Sequence, residues 1–583
     1  MAHWRLHAVP EVAWRALAQR LGVSDLTARV LAARGMLDPE EARNFLSPTL
    51  DSLHDPFLFA DMERAVERIR QAVAHRERVL IYGDYDVDGI TSCALLYSFL
   101  RFLGVQVSTY IPNRLTEGYG VGLKQIKKAQ EDGCSLVITV DCGITSEAEV
   151  AWAREHGVDV IITDHHNPGE RLPAANAIIN PKVSGCGYPF SELAGVGVAF
   201  KLAWALGERM SRERRLGGEF ERHILNGMAL VAMGTVADVV PLVNENRTLV
   251  RFGLRALEAT RNTGLRALLE TTGLDKTRLG ARHISFRLAP RINAAGRIGR
   301  AEVPLRLLCA SETVEAYELA RQLEADNRMR QKIEAEILSS VRAMLEKNAL
   351  DEPLLILDGS WHTGVTGIVA SRLTNELNRP VVLIVTDGET GKGTARSIEG
   401  CDIYELLWEC REFLRDFGGH SFAAGFEIRT EHIEAFRRRL IEVAHQRIGR
   451  DAPERNIEID ALVDFGDLSV TAVEELDRLE PFGEGNRRPL LATREVVIQG
   501  APRRYGRGGK KLLFFARQGP LPVKAVMTGG ADVEEALASL SDQTCEIAYT
   551  PRIQRRAAVA TVELEVHDVR RNGRSIVPDA RPR

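Results

Sequence analysis

The sequence predicts an α/β protein built on a parallel sheet, with a smaller α/β unit joined to it by a long helix and a β-barrel towards the C-terminal end. Three observations predict this. Apolar runs of strand length alternate with helix-like runs from residue 79 onward. The strand-like runs are nearly continuous rather than alternating, as in strands buried on both faces. From residue 490 the pattern changes to short apolar strands separated by Gly, Pro and charges.

At 583 residues the chain has room for roughly three or four domains. Its 45% hydrophobic and 27% charged content is that of an ordinary globular protein. No run of 18 apolar residues occurs, so no membrane span is expected, and the N-terminal MAHWRLHAVPEVAWRAL has no signal-peptide h-region. Eight cysteines without a CxxC pair argue against a zinc knuckle or disulfide framework and for a reducing, cytoplasmic setting. The net charge of −4 does not point to nucleic acid, but whole-chain charge says little when patches are local.

Residues 1–50 read as helical and accessory, with Ser24 placed to cap a helix that Gly35 closes. A Pro-containing stretch over 47–56 leads to an amphipathic helix over 62–75. Strands are then predicted over 79–82, 105–111, 136–140, 158–163 and 177–179, with helices over 91–103, 121–131 and 146–156 between them. Open parallel sheets bind ligands beyond the C-terminal ends of their strands. Those ends carry Asp84, Asp86 and Asp88, then Pro112-Asn113-Arg114, then Asp141-Cys142-Gly143, then Asp164-His165-His166. Buried ionised carboxylates are costly unless paired or bound to metal. Acids and histidines at three strand ends on one edge therefore read as ligands for hard divalent cations. A closely packed helix over 224–236 delivers one more acid, Asp238, between valines and ahead of Pro241.

Residues 288–300, LAPRINAAGRIGR, read as a Gly- and Ala-rich loop offering Arg291, Arg297 and Arg300 to phosphate. Residues 311–347 read as one long helix, with Met329, Ile333, Ile337 and Val341 recurring every four positions. Such a helix is expected to act as a strut that sets a gap between two domains. The second α/β unit has strands over 354–357, 381–385 and 394–397, and a Gly-rich turn entering a helix over 364–373. FGGHSFAAG at 417–425 reads as a further glycine-rich turn, and such turns at helix starts present N–H groups to anions. A linker follows over 451–456 and a turn over 481–489.

From 490 to the end the chain carries 16 Lys+Arg against 10 Asp+Glu. Arg503, Arg504, Arg507, Lys510 and Lys511 surround Tyr505, just before Phe514 and Phe515. Charge for a backbone and rings for stacking bases are what a single-strand groove needs.

Taken together, GDYDVDGITS at 83–92, VDCG at 140–143, Asp164-His165-His166 and ADVVPL at 237–242 resemble the DHH phosphoesterase superfamily, and within it the bacterial single-strand-specific exonucleases. PRINAAGR at 290–297, GGHSFAAG at 418–425 and PFGEGN at 481–486 resemble later signatures of the same family, so the likeness covers nearly the whole chain in order. The resemblance implies accessory helices over 1–60, a parallel-sheet DHH domain over 61–310, a connecting helix over 311–350, a smaller α/β DHH-associated domain over 351–452, and an OB-like β-barrel with its linker over 453–583.

It also implies two Mn²⁺ or Mg²⁺ ions. Asp84, Asp86, Asp88, Asp141, His165 and Asp238 would hold them, with Asp141 as the bridge. Asp164 would orient a histidine, and His166 would face the scissile phosphate. Many members carry a histidine just upstream of the first motif, where this chain has Tyr82, so one ligand stays unassigned. Arg372, Arg396, Ser397 and His420, with the backbone of Gly418 and Gly419, would clamp phosphate. Arg291 and Arg297 would hold the 5′-terminal region. Arg503, Arg504, Tyr505, Arg507, Lys510 and Lys511 would grip the incoming strand.

The implied activity is 5′-to-3′ exonuclease hydrolysis of single-stranded DNA to 5′-mononucleotides, in DNA repair and recombination. A paired-metal site suits that chemistry, since it activates water and stabilises the leaving oxygen. The expected protein is a cytoplasmic monomer that meets no membrane. A single-strand-binding protein and a RecQ-type helicase are the partners the resemblance implies. Two other readings stay open: a DHH phosphodiesterase of short oligonucleotides or cyclic dinucleotides, and a non-catalytic single-strand-binding replication scaffold. The first would not need a barrel, and the second should have lost motif acids that are all present.

Overall fold

In the computed structural model, residues 2–211, 218–346, 352–448, 455–506, 509–556 and 559–576 are described. They fall into two units: residues 48–332 with 480–487, and residues 1–47, 333–479 and 488–583. The chain opens with a strand, β1 (Ala2–Leu6), where the sequence reading had only helices. Helices Glu11–Leu21, Asp25–Ala33 and Pro39–Leu46 follow, and Ser24 caps the second by accepting from the Thr27 N–H.

The first unit holds a five-stranded sheet: β2 (Arg78–Gly83), β3 (Gln106–Tyr110), β4 (Cys134–Val140), β5 (Asp159–Thr163) and β6 (Ala177–Ile179). The order is β3-β2-β4-β5-β6 and every pairing is parallel. Strand order reverses at β2, which places a crevice beyond the C-terminal ends of β2 and β4. Val79, Ile81, Ile138 and Ile161 pack into a helical core on one face; Leu80, Tyr82, Val137 and Ile162 pack into a smaller core on the other. This double burial is why the strands read as continuous apolar runs.

In this unit two segments differ from the sequence reading. The helix after β2 begins at Val87, not at 91, so Asp88 lies in its first turn and Asp86 is its N-cap. Residues 288–300 are no loop: Ala289–Arg297 is an α-helix with Pro290 in its first turn, entered through a wide turn over Ile284–Leu288. Proline is tolerated at a helix start, and alanines around Gly296 keep the helix narrow enough for close packing.

A single helix, Thr313–Leu345, ends the first unit and starts the second. Its 33 residues span about 50 Å at 1.5 Å per residue. Ile337 and Val341 are buried in the second unit's core, whereas Met329, on the same four-residue spacing, is exposed.

The second unit has a mixed sheet of β7 (Leu355–Gly359), β8 (Val381–Asp387), β9 (Thr390–Arg396), β10 (Leu414–His420) and β11 (Ala423–Arg429), ordered β10-β11-β9-β8-β7. Only β7 and β8 are parallel. Residues 417–425, read from the sequence as a glycine-rich turn, are therefore more than a turn. They are the two arms and tip of an antiparallel hairpin, with Phe417 opposite Phe426 and His420 opposite Ala423. β12 (Arg455–Ile459) pairs in parallel with β1, and β13 (Ala461–Leu462) pairs with β14 (Leu491–Tyr505). With β15 (Lys511–Gln518), β16 (Leu521–Thr528), β17 (Thr544–Arg556) and β18 (Val559–Arg571), β14 closes a five-stranded barrel in the order β14-β15-β16-β18-β17-β14. The helix Ala531–Ser539 sits between its third and fourth strands, which is OB topology. Most of the predicted linker, and Arg507, lie outside the described residues. No described helix is long and apolar enough to cross a membrane.

Candidate active site

Sheet register builds the site. Gly83 is level with Val140, and Val140 with Thr163, so Asp84, Asp141 and Asp164 leave three adjacent strands side by side. Asp141 sits at φ +59, a left-handed conformation, with its N–H on the Thr163 carbonyl (3.0 Å). Side chains other than glycine, asparagine and aspartate rarely adopt it, and such strain clusters at functional sites.

The predicted acids and His165 converge. His165 Nε2 lies 3.1 Å from Asp141 Oδ1, 3.6 Å from Asp238 Oδ2 and 3.9 Å from Asp88 Oδ2. Three groups bring one ligand atom of each member within 4.8 Å of one another: Asp84, Asp86 and Asp141; Asp88, His165 and Asp238; and Asp141, His165 and His166. Asp141 belongs to two of them.

The acids of the first motif divide their work. Asp86 Oδ1 accepts from the N–H groups of Asp88 and Gly89. Asp88 accepts from Gly195 N–H (2.6 Å) and Val196 N–H (2.9 Å) at the start of the helix Gly195–Met210. Asp84 Oδ1, Asp141 Oδ1 and His165 Nε2 are buried and make no hydrogen bond. Orphaned buried polar atoms demand an explanation, and cation binding is a sufficient one.

Electrostatics agree. Burial, and then neighbouring carboxylates, push Asp84, Asp141 and Asp238 well above the ordinary aspartate range. Burial and the Asp86 charge push Asp88 up to about 7 despite its two N–H donors. Burial, with the charge on His166, lowers His165 to about 3, which keeps its imidazole neutral and fit to ligate. Asp164 goes the other way. Burial opposes its ionisation, but the His166 ring, with the His166 and Ile144 N–H groups, outweighs that and holds it below its ordinary value. Its Oδ1 lies 2.8 Å from His166 Nδ1, so it orients that ring.

Three family models match: the DHH family N-terminal domain over residues 78–235, the DHHA1 domain over 351–446 and the RecJ OB domain over 459–568. The single-stranded-DNA-specific exonuclease RecJ of Bacillus subtilis is 39% identical over 85% of this chain, which spans only 62% of that relative's length. Its counterpart from Dickeya dadantii is 37% identical over 81% of this chain and 84% of its own. The chain belongs to the RecJ family. Among solved structures, Thermus thermophilus RecJ in complex with Mn²⁺ superposes on 98% of this chain and 80% of its own, with TM-score 0.83 and 32% identity. The Mg²⁺ complex of the same protein gives TM-score 0.76 at 30% identity.

The phosphate candidates of this RecJ-family chain are only partly brought together. Arg396 on β9, opposite Ala423, and His420 on β10, also opposite Ala423, lie at one end of the second unit's sheet, beside Gly418, Gly419 and Ser397. Gly419 sits at φ +144, and a Cβ there would meet the Ala423 carbonyl oxygen at 2.4 Å. Ser397 Oγ donates to the Cys401 carbonyl. Arg372 is paired with Glu376 (2.9 Å) and Glu334 (3.3 Å). In the first unit Arg291 is paired with Glu324 at 2.6 Å. Arg297 is close enough to Tyr85, within the first motif, for its charge to act on that phenol.

The barrel patch splits. Arg503 and Tyr505 share one face of β14; Arg504, on the other, pairs with Glu534 (2.6 Å). Tyr505 is opposite Lys511, whose Nζ lies 6.0 Å from the ring centroid, and Lys510 immediately precedes β15. Phe514 points into the barrel and Phe515 outwards.

The sequence reading missed several residues. Tyr119 Oη is 3.0 Å from His166 Nδ1, and its ring meets the imidazole edge-on at 5.4 Å. Its only signal was the glycine-rich EGYGVG run. Tyr82 is no ligand substitute: it faces the opposite core and braces that same loop, donating to Gly120 O and accepting from Gly122 N–H. Gly195 and Gly234 make room for the acids, since a Cβ would fall 2.6 Å from Asp141 Oδ1 or 2.5 Å from Asp88 Oδ1.

Proposed function

We propose that this chain is a metal-dependent exonuclease of single-stranded DNA, working from the 5′ end and releasing 5′-mononucleotides. The convergence of Asp84, Asp141 and His165 as buried atoms without hydrogen bonds carries this reading, together with membership of a family whose relatives are named for that activity. Asp84, Asp86 and Asp141 would hold one ion; Asp141, Asp88, His165 and Asp238 would hold the other. When bound, Mn²⁺ or Mg²⁺ supplies Lewis acidity to the phosphate and acidifies a water, and the imidazole among carboxylates tilts preference towards Mn²⁺. His166, its Nδ1 fixed by Asp164 and Tyr119, keeps Nε2 for a phosphate oxygen. Arg396, Ser397, Gly418, Gly419 and His420 would clamp a phosphate of the strand, and Arg297 would hold the 5′-terminal region.

End-labelled single-stranded and duplex DNA, incubated with Mn²⁺ and with Mg²⁺, tests class, polarity and cofactor at once. Mononucleotides released only from the 5′ end of single strands are expected. Turnover of dinucleotides alone would move the protein to the short-substrate branch. A single-strand-binding protein and a RecQ-type helicase are the partners we propose, with action in the cytoplasm during repair and recombination.

The barrel gives a second test. Tyr505→Ala with Lys511→Ala removes a ring worth about 1–3 kcal/mol per stacked base and one backbone charge. Affinity for long single strands should fall about tenfold or more, and the salt slope should flatten by about one unit. Dinucleotide hydrolysis should be unchanged; an equal loss on both substrates would rule out a distal grip.

A further inference from the structure

Residues 480–487 join the parallel-sheet unit, although the chain on both sides of them belongs to the other unit. There they meet the loop that carries Asp238. That residue ends the helix Gly218–Ala237, with its N–H on Gly234 O (2.9 Å). Val239 follows at φ +63. A β-branched residue in the left-handed region is a real outlier. Its side chain is 62% exposed, so no packing of its own explains the conformation.

The restraint comes from the next three residues. Leu242 N–H donates to Glu484 O (2.8 Å). Gly483 lies against Leu242, where a Cβ would fall 2.6 Å from Cδ1. Gly485, itself at φ +65, lies against Pro241, where a Cβ would fall 3.0 Å from the ring. The turn is internally tied: Gly483 and Asn486 exchange both backbone hydrogen bonds, and Asn486 Nδ2 donates to Pro481 O (2.8 Å). Asn246 Nδ2 holds Pro241 O from the other side (3.1 Å).

We propose that the 480–487 turn is a positioning latch for Asp238. It pins Pro241 and Leu242, and so keeps Val239 in the strained conformation that delivers the Asp238 carboxylate to His165. Gly483, Glu484 and Gly485 are positioning residues; none is within the acid cluster. The inference rests on Asp238 being a metal ligand.

The full chain tests it by thermal melting across a Mn²⁺ titration, with single-strand binding in EDTA as the control for folding. Gly485→Ala should raise the Mn²⁺ concentration of half-maximal stabilisation by about tenfold or more, the usual loss when a ligand's support is removed. Single-strand binding should stay within about twofold of the unmodified chain. Adding Val239→Gly should restore the midpoint, because glycine takes a positive φ without the latch. Should Gly485→Ala fail to fold, Gly483→Ala presses only the tip of Leu242 and reads the same midpoint. A folded variant with an unshifted midpoint overturns the latch, as does a shifted midpoint that Val239→Gly does not restore. An unmodified chain whose melting ignores Mn²⁺ overturns the metal reading itself, and the latch with it.

Discussion

Asp141→Asn is expected to lower single-strand hydrolysis by about 10³-fold, roughly 4 kcal/mol of transition-state stabilisation, while raising the melting temperature of the metal-free protein. The two effects share one cause. Asp141 is shared by two of the ligand groups, so losing its charge weakens both. Without metal that charge is a liability, because burial and the charges of Asp88, Asp86 and Asp238 all disfavour it. The sign follows from linkage. The folded pKa lies above the unfolded value, so the folded state binds more protons in between. Stability of the EDTA-treated protein therefore falls as pH rises from about 4 through the folded pKa. The Asn variant escapes that fall, and its advantage should grow with pH. In Mn²⁺ the order should reverse. Melting in EDTA and in Mn²⁺ at pH 5 and pH 8 checks this, and a less stable Asn variant in EDTA at pH 8 would refute it.

Lys201→Met should destabilise the parallel-sheet unit by about 3–5 kcal/mol, the usual cost of stranding half of a buried ion pair. Lys201 Nζ is 2.6 Å from Glu245 Oε1, and both side chains are fully buried. The ammonium also donates to His54 O, while Glu245 accepts from His54 N–H and from Tyr188 Oη. Removing Lys201 leaves the carboxylate charged and unbalanced. Lys201→Met with Glu245→Gln should recover at least half of the loss, because the amide is neutral: its oxygen can still accept from His54 N–H, and the Tyr188 hydroxyl can turn to accept from its NH2. Hydrogen exchange across Gly195–Met210 is the readout, since Lys201 lies on that helix and its first N–H groups hold Asp88. Unchanged protection in the single variant would show the pair to be dispensable.

What was legible in the sequence was what depends on local period. The five strands of the parallel sheet show as apolar runs, and their polar ends show as Asp84, Asp141 and Asp164. What was not legible depends on partners far along the chain. Asp86 and Asp88 look like equal members of a turn; one caps its own helix, and the other holds a helix more than a hundred residues downstream. FGGHSFAAG looks like a turn because glycines hide the alternation that would mark two strands. LAPRINAAGR looks like a loop because its glycine and proline are breakers in isolation, yet Pro290 occupies a helix start. β1 has a pattern too short to read, and its partner is about 450 residues away.

That separation has a consequence in time. At about 5–20 residues per second, β1 waits roughly 20–90 s for β12 to be synthesised. Leu242 waits for Glu484 through about half that interval. On the ribosome the acids of the cluster are complete long before the segment that braces Asp238 exists. The nascent chain thus carries its acid cluster early and the support for it late.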